Sequence, residues 1–165
     1  MHFPIIFAAK YLHLIVILAA VIALAIKDSS TRRKIIKLGV LALPASYLTA
    51  KILSHFFYNP RPFVVEHTTP LISHAANNGF PSDHTLLAMT VAATFFIYDR
   101  RIGTMLAILS LAVGLGRILT RVHYPIDVSA SAVIAFLITY SCYLILKKVK
   151  FLDVFLDKVL KTFRI

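Results

Sequence analysis

Five long apolar segments dominate this 165-residue chain and limit the folds open to it. Each approaches or reaches the length of about 20 residues that crosses the hydrocarbon core of a bilayer as an α-helix. In chain order the segments are residues 11–26, 35–57, 84–98, 102–119 and 128–146. We therefore predict an all-α integral membrane protein. It forms one domain over residues 1–165, a bundle of five, or at most six, transmembrane helices.

The composition agrees with a membrane protein and limits the kinds of molecule that the chain is expected to bind. Hydrophobic residues make up 59% of the chain, against roughly 45–50% in soluble domains. The net charge of +11 would suggest nucleic acid in a soluble protein. Here the cations flank apolar segments and no basic stripe with interleaved aromatics is present, so we expect membrane lipids as partners and no nucleic acid.

The single cysteine, Cys142, excludes an internal disulfide. Without a small-residue cleavage site after Met1, we expect no removable signal peptide.

The lysine and arginine distribution predicts the orientation. With five spans, the 27–37 connection, the 99–101 turn and the C-terminal tail share one side, and residues 58–83 and 117–127 share the other. Thirteen of the eighteen lysines and arginines fall on the first side: Lys27, Arg32, Arg33, Lys34, Lys37, Arg100, Arg101, Lys147, Lys148, Lys150, Lys158, Lys161 and Arg164. Because cytoplasmic loops carry the excess of positive residues, we expect residues 58–83 and 117–127 to face outward.

The tail is predicted to be an amphipathic helix. Apolar residues recur at helical spacing, and basic residues occupy the other positions. The apolar set is Phe151, Phe155, Val159 and Phe163, and the basic set is Lys150, Lys158, Lys161 and Arg164. A helix of this pattern typically lies in the membrane interface.

Ionisable residues gather at the predicted outer ends of the spans. Arg61 follows the second segment, Pro81-Ser82-Asp83-His84 opens the third, and Arg117, His123 and Asp127 lie between the fourth and fifth. The 58–83 stretch is the longest non-apolar one, and so long a loop in a compact chain is usually functional. Ionisable groups at a membrane edge mark a pathway or a reaction site.

These residue types favour a phosphate pocket. Arginine presents a planar fork that matches phosphate oxygens, so Arg61 and Arg117 from different segments can clamp one phosphoryl group. Ser82 and the amides of Asp83 and His84 stand at a helix start, where free N–H groups favour an anion. The acidic residues on this side are too scattered to hold magnesium, so we expect neither a metal nor a cofactor.

Without a metal to activate water, the reaction needs a nucleophile, and His123 is the best candidate. Asp127 can accept a hydrogen bond from its Nδ1–H and leave Nε2 free to attack phosphorus. His84 supplies a second imidazole, which can protonate the leaving oxygen and then deprotonate the water that hydrolyses the phosphohistidine.

Arg61-Pro62, PSDH at 81–84 and Arg117-x5-His123-x3-Asp127 resemble the three-part signature of the type-2 phosphatidic acid phosphatase superfamily. Within it, FYNPRPF at 57–63 and NNGFPSDHT at 77–85 are similar to the bacitracin-resistance type of undecaprenyl pyrophosphate phosphatases. The resemblance implies His123 as nucleophile, His84 as acid and Asp127 as the group that orients the nucleophile. It implies phosphate ligands at Arg61, Arg117, Ser82 and a lysine. It also implies removal of the terminal phosphate of undecaprenyl diphosphate at the outer face of the bacterial cell membrane, for lipid-carrier recycling.

Three positions depart from the family pattern. The family lysine usually stands seven residues before the motif arginine, where this chain has Ser54; Lys51 lies one helical turn earlier and can reach along the helix, or serve as an interface anchor. Asp83 replaces the usual glycine, and we expect its amide to bind phosphate while its carboxylate points away. Gly116 replaces the serine before Arg117.

Two residues near these motifs, Arg121 and Ser82, each have two candidate roles. Arg121 either contacts the second phosphate of a diphosphate or meets lipid headgroups, and Ser82 serves as a helix N-cap, a phosphate ligand or both. His13 is expected at the membrane interface. The remaining polar residues are expected to be solvated loop positions: His55, Glu66, His67, His74, Asn77 and Asn78.

Alternative functions stay open. The same chemistry suits phosphatidylglycerophosphate, phosphatidate or a lipid A headgroup, because prenyl and acyl chains both require only an apolar groove. A phosphate or lipid transporter is the alternative from another class, although transporters build sites near the bilayer midplane from repeated or broken helices. An inactive binding subunit is the third, and the complete His-His-Asp set argues against it.

Overall fold

The computed structural model describes residues 2–162, which form eight helices and no β-strand within that range. In chain order they are α1 (Phe3–Lys10), α2 (Leu12–Ala25), α3 (Ser29–Phe56), α4 (Pro62–Val65), α5 (Asp83–Tyr98), α6 (Arg100–Leu119), α7 (Pro125–Lys148) and α8 (Lys150–Thr162). The predicted all-α class is confirmed. Phe163 and Arg164, which belong to the predicted pattern of the tail, lie outside the described residues.

The number of membrane spans differs from the prediction. Three helices of the described chain, α3, α6 and α7, are long and apolar enough to cross a membrane. The pair α1 and α2 would make a fourth, but it is bent by 56°. Helix α5 has 16 residues, about 24 Å of helix, which is short for a full span. The count of five is therefore not confirmed.

Two aspartates cap the N-termini of helices at one end of the bundle, and the turns that contain them lie close together. Asp28 accepts from the Thr31 N–H (2.9 Å) and Asp99 accepts from the Ile102 N–H (3.0 Å), which caps α3 and α6. Lys27 Nζ lies 2.5 Å from Asp99 Oδ2. The 27–28 and 99–100 turns thus share one end, as the charge pattern predicts.

Helix α5 is the centre of the bundle and packs against α2, α3, α6 and α7. Glycines on α6 allow the close approach of α5 and of α7. A Cβ at Gly103 would lie 2.3 Å from the Phe96 Cα, and one at Gly114 would lie 2.5 Å from the Val128 Cγ1. The absence of a side chain at these two positions is therefore what permits the close helix packing.

Helix α8 packs on α3 and α7 at the Lys27 end. Lys37 is almost fully buried there, and its Nζ lies 2.5 Å from Asp153 Oδ1 and 3.2 Å from Asp157 Oδ1. Phe151 and Phe155 point away from the bundle and are exposed. The predicted amphipathic helix is present from residue 150 to 162, and its position in a membrane interface stays a prediction.

Candidate active site

The long loop between α3 and α5 folds back over the opposite end of the bundle. The Gly79 N–H donates to Asn59 O (2.8 Å), and the Leu71 N–H donates to Thr120 O (3.3 Å). Ile72 is buried with Ala9 and Val122, which ties the loop to α1 and to the α6–α7 connection. The three motifs therefore converge at this end.

His123 and Asp127 are held by the start of α7. Pro125 occupies the first turn, where its missing N–H costs nothing. Asp127 is fully buried, and its Oδ2 accepts from the Tyr124 N–H (2.8 Å). His123 Nδ1 lies 3.4 Å from the same oxygen, longer than the usual hydrogen bond of about 2.7–3.2 Å. Such contacts often tighten when substrate binds.

Asn59 holds the other oxygen of this carboxylate. Its Nδ2 donates to Asp127 Oδ1 at 2.7 Å. Gly79 lets the loop approach closely, because a Cβ there would lie 3.3 Å from Asp127 Oδ2. Sequence reasoning gave Asn59 no role. The only signal was its position two residues before Arg61 inside the first motif.

Arg61 is buried and fixed from several sides. Its Nη1 donates to Val122 O (2.7 Å), and its Nε donates to Asn77 Oδ1 (3.0 Å). The same Nη1 lies 3.2 Å from His123 Nε2. A neutral ring with its proton on Nδ1, facing Asp127, accepts this contact through Nε2. The guanidinium is thus placed beside the nitrogen that we predict attacks phosphorus.

Asn78 ties the loop to the end of α3. Its Oδ1 accepts from the Asn59 N–H (3.0 Å) and the Phe80 N–H (2.9 Å). Its Nδ2 donates to Ser54 O and Phe57 O, both at 2.9 Å. The expectation that Asn78 is only a solvated loop residue is wrong, because every polar atom of its side chain bonds to the backbone.

Arg117 enters the same region from the last turn of α6 and is 3% exposed. Its Nη1 donates to Ala9 O at 3.4 Å. Its Nε and Nη2 are buried and have no hydrogen-bond partner among residues 2–162. Buried polar groups are almost always satisfied, so two unused donors of a buried cation indicate a place for an anion.

Ser82 fixes the start of α5 beside α7. Its N–H donates to Asp127 O (3.4 Å), and Ser131 Oγ lies 3.0 Å from Ser82 O. The Ser82 hydroxyl lies 3.1 Å from Thr85 Oγ1 and makes no capping bond to the α5 backbone. Ser82 therefore stands at the N-cap position without capping through its side chain.

His84 follows on the first turn of α5. It lies two residues after Ser82, whose N–H donates to Asp127 O, so the start of α5 is at the same end of the bundle as Asp127. The His13 ring meets the His84 ring edge-on, with centroids 4.4 Å apart. His13 therefore packs against the predicted acid, and its expected position at the membrane interface stays a prediction.

The remaining predicted ligands lie outside this buried group. Lys51 Nζ lies 3.4 Å from Asp83 Oδ2, and both side chains are about half exposed. The Asp83 carboxylate points toward Lys51, and phosphate binding by the Asp83 amide stays a prediction. Arg121 pairs with Glu66 on the surface, and no hydrogen bond within residues 2–162 joins it to Arg61 or Arg117.

Two loop imidazoles are kept neutral near pH 7. Burial lowers the pKa of His123, and the charges of Arg117 and Arg61 lower it further, while the Asp127 carboxylate raises it. The ring of His74, expected to be solvated, lies 6.3 Å from that of His123 between centroids. Burial and the Arg61 charge lower the pKa of His74 to about 4. The pocket therefore offers neutral imidazoles beside fixed guanidinium groups.

The donors of this site suit an oxyanion. Among residues 2–162, no three His, Cys, Asp or Glu side chains are grouped closely enough to hold a metal ion. Guanidinium N–H groups, imidazole nitrogens and the amides at the start of α5 are what the site presents.

Comparisons with known proteins agree on one family. The profile of the PAP2 superfamily matches residues 8–151. The chain is 32% identical to bacitracin transport permease protein BcrC of Bacillus licheniformis, over 79% of this chain and 64% of that protein. It is 34% identical to undecaprenyl-diphosphatase BcrC of Bacillus subtilis (strain 168), over 68% and 58%. For putative undecaprenyl-diphosphatase YbjG of Escherichia coli (strain K12), the identity is 33% over 74% and 62%.

The chain thus spans about three fifths of the length of these curated relatives. Its fold is similar to the crystal structure of Aquifex aeolicus LpxE, with a TM-score of 0.71 over 87% of each chain and 24% identity. At that identity the likeness concerns the fold alone.

Proposed function

We propose, from the premise that this chain belongs to the PAP2 superfamily, that it is a membrane lipid diphosphatase. Its substrate is undecaprenyl diphosphate, and its products are undecaprenyl phosphate and inorganic phosphate. One observation carries the proposal: His123 Nε2 lies 3.2 Å from Arg61 Nη1. The buried Arg117, six residues before His123, keeps two donors unused among the described residues, which supports an anion site. The names of the Bacillus subtilis and Escherichia coli relatives support the substrate.

The reaction follows from this geometry. The terminal phosphoryl group binds between Arg61 and Arg117, whose N–H groups stabilise the charge on its equatorial oxygens. In the proposed step the Arg61 Nη1–H that faces His123 Nε2 turns to a phosphate oxygen. Asp127 holds the Nδ1–H of His123, so the freed Nε2 lone pair attacks phosphorus. The bond from phosphorus to the bridging oxygen breaks, and His84 donates a proton to the departing lipid phosphate.

The second step regenerates the nucleophile. His84, now neutral, takes a proton from a water molecule as that water attacks the phosphohistidine. The P–N bond breaks, inorganic phosphate leaves and the Nε2 lone pair returns. In this proposal Ser82, the Asp83 amide and Lys51 also bind the phosphoryl oxygens, and Arg121 contacts the second phosphate of the substrate.

The proposed location is the bacterial cell membrane, with this site on the extracytoplasmic side. The cationic 27–37 and 99–101 segments lie at the other end of the bundle, which supports that orientation. Removal of the terminal phosphate there would return the lipid carrier to cell-wall synthesis. Bacitracin resistance is the corresponding expected phenotype.

Two alternatives have specific support. The same chemistry suits another lipid phosphate, such as phosphatidylglycerophosphate, because prenyl and acyl chains both require only an apolar groove. The word permease in the name of the Bacillus licheniformis relative suits a transporter. Against transport, the buried His-Asp-Arg group lies at one end of the bundle, not at its middle.

The test is phosphate release by the purified full chain in EDTA, with undecaprenyl diphosphate and phosphatidylglycerophosphate compared side by side. We expect preference for the diphosphate and a loss of about 10²–10⁴-fold or more in His123→Ala and His84→Ala. His55→Ala, an exposed histidine on the last turn of α3, is the matched control. Release that disappears with EDTA and survives both histidine changes would refute the mechanism, and lipid flux without release would favour a transporter.

A further inference from the structure

A basic cleft lies at the end of the bundle opposite His123. It has a volume of about 590 Å³ and lies between α3, α7 and α8. Four of its lining residues are lysines: Lys34, Lys37, Lys147 and Lys150. Lys34 and Lys51 are 17 positions apart on α3, about 26 Å at the rise of a helix. The cleft is therefore a separate place from the candidate active site.

Most of the positive charge in this cleft is uncompensated. Lys37 is neutralised by Asp153 and Asp157. The other three lysines make no ion pair with any residue from 2 to 162. They come from separate helices and face one space, which lowers the free energy of an anion there.

A second cavity extends the basic surface along α3. Its volume is about 350 Å³, and it shares Lys34 and Lys37 with the first. Arg33 also lines it, and the Arg33 Nε is buried with no hydrogen-bond partner in the described chain. A buried donor of this kind is usually satisfied by a ligand or water, so it points independently to an anion at this end.

We propose that the cleft binds the phosphate headgroup of an anionic phospholipid. Its wall includes the apolar side chains of Leu146 and Val154. Val154 is exposed and continues into the outward face of α8 at Phe151 and Phe155. A headgroup among the lysines would place its acyl chains along this face, which distinguishes a lipid from free phosphate. Basic pockets between membrane helices at the cytoplasmic side are suited to such headgroups.

Binding of a headgroup in the cleft would connect three helices, whether or not the chain catalyses the proposed reaction. Lys34 belongs to α3, Lys147 to α7 and Lys150 to α8, so one phosphate group would be held by three helices. Binding would strengthen the attachment of α8, which otherwise relies on the Lys37 ion pairs and the apolar contacts of Leu152 and Leu156.

The test measures lipid retained by the purified full chain after exposure to equal amounts of phosphatidylglycerol and phosphatidylcholine in detergent. We expect selective retention of phosphatidylglycerol. Lys147→Gln/Lys150→Gln should lower this retention by about fivefold per lysine. Arg100→Gln/Arg101→Gln removes the same charge from exposed positions at the same end, outside the cleft, and should leave retention unchanged.

Three outcomes would overturn the proposal: no selectivity in the unmodified chain, equal losses in both double variants, or loss of selectivity with inorganic phosphate as an effective competitor. A photoreactive phosphatidylglycerol provides a second readout that does not depend on substitutions. Crosslinks are expected in α7 and α8 near residues 146–154, and crosslinks spread evenly over the bundle would contradict a defined cleft.

Discussion

Asp127 is the most constrained side chain of the candidate site. One oxygen accepts from Asn59 and the other from the Tyr124 N–H, beside His123. A carboxylate so fixed selects the His123 tautomer with its proton on Nδ1. The carboxylate is thereby held in place before substrate binds, and the 3.4 Å contact to His123 Nδ1 has only to shorten for the nucleophile to be oriented.

Asn59 should matter for rate more than for binding. Asn59→Ala removes a hydrogen bond to a charged group, about 1.5–3 kcal/mol, so we expect kcat to fall about 10- to 150-fold with KM nearly unchanged. Steady-state kinetics on the lipid substrate check this. Asn77→Ala, which removes the acceptor of Arg61 Nε, is the contrasting variant and should raise KM. An unchanged kcat in Asn59→Ala would exclude a positioning role.

The pH dependence should reflect a depressed His123 pKa. Burial and two guanidinium groups lower the pKa of His123 below 6.5, so the neutral, nucleophilic form persists as pH falls through that value. We expect the acidic limb of kcat/KM to lie below pH 6.5. Because Asp127 raises this pKa, Asp127→Asn should move the limb of the residual activity to still lower pH. A limb at or above pH 7 would contradict the assignment.

At this scale the sequence predicts local contacts and misses distant ones. His123 and Asp127 are four residues apart across a helix start marked by Pro125, so their contact follows from local rules. Asn59 and Asp127 are 68 residues apart, and no local rule relates them. His13 and His84 meet only because α2 packs on α5.

Among the helices, α6 does much to position the residues of the candidate site. Gly116 lies against the backbone of α1, where a Cβ would be 2.8 Å from Ala9 N. This contact brings Ala9 to Arg117 and gives a physical reason for glycine where the family has serine. This departure from the family pattern therefore has a packing reason.

Gly116→Ser should therefore destabilise the protein. The added side chain must displace α1, and overpacking of this kind costs about 1–3 kcal/mol, so we expect a lower Tm and no gain in phosphatase rate. Thermal unfolding in detergent provides the measurement. Gly39→Ala is the matched control, because its Cβ would lie 3.8 Å from Thr94 Cγ2, an ordinary contact. Equal Tm values for Gly116→Ser and the unmodified chain would contradict this account.

Hydropathy predicts where the long helices lie better than it predicts how the helices bend. Segments 35–57, 102–119 and 128–146 fall within α3, α6 and α7 apart from single terminal residues. The 56° bend between α1 and α2 was not predicted, because neither Lys10 nor Tyr11 is a residue that breaks helices. The four-residue α4 is also too short for any periodicity to reveal.

For the whole molecule, the two ends differ in chemistry. One end carries the His-Asp-Arg group beneath the long loop, and the other carries the cationic turns and α8. The sequence predicts this polarity from the order of the apolar segments and the lysine and arginine counts between them, neither of which depends on packing. The proposed enzyme requires that the first end face outward.

Orientation can be tested with single cysteines, because Cys142 is buried in the bundle. We expect Thr68→Cys, on the long loop, to react with a membrane-impermeant maleimide on intact cells. Arg101→Cys should react only after lysis, and the unmodified chain is the blank. The reverse labelling pattern would place the site on the cytoplasmic side.

The central claim is that His123 carries the phosphoryl group, and trapping that intermediate tests it most directly. Undecaprenyl diphosphate labelled in its terminal phosphate would be mixed with the His84→Ala variant and quenched in alkali, in which phosphohistidine survives. The leaving group is itself a phosphate and departs with less need of a proton, whereas hydrolysis of the intermediate needs the missing base. We predict label on the peptide that contains His123 and none after His123→Ala. Label on another residue, or full turnover by an enzyme without His123, would contradict the account.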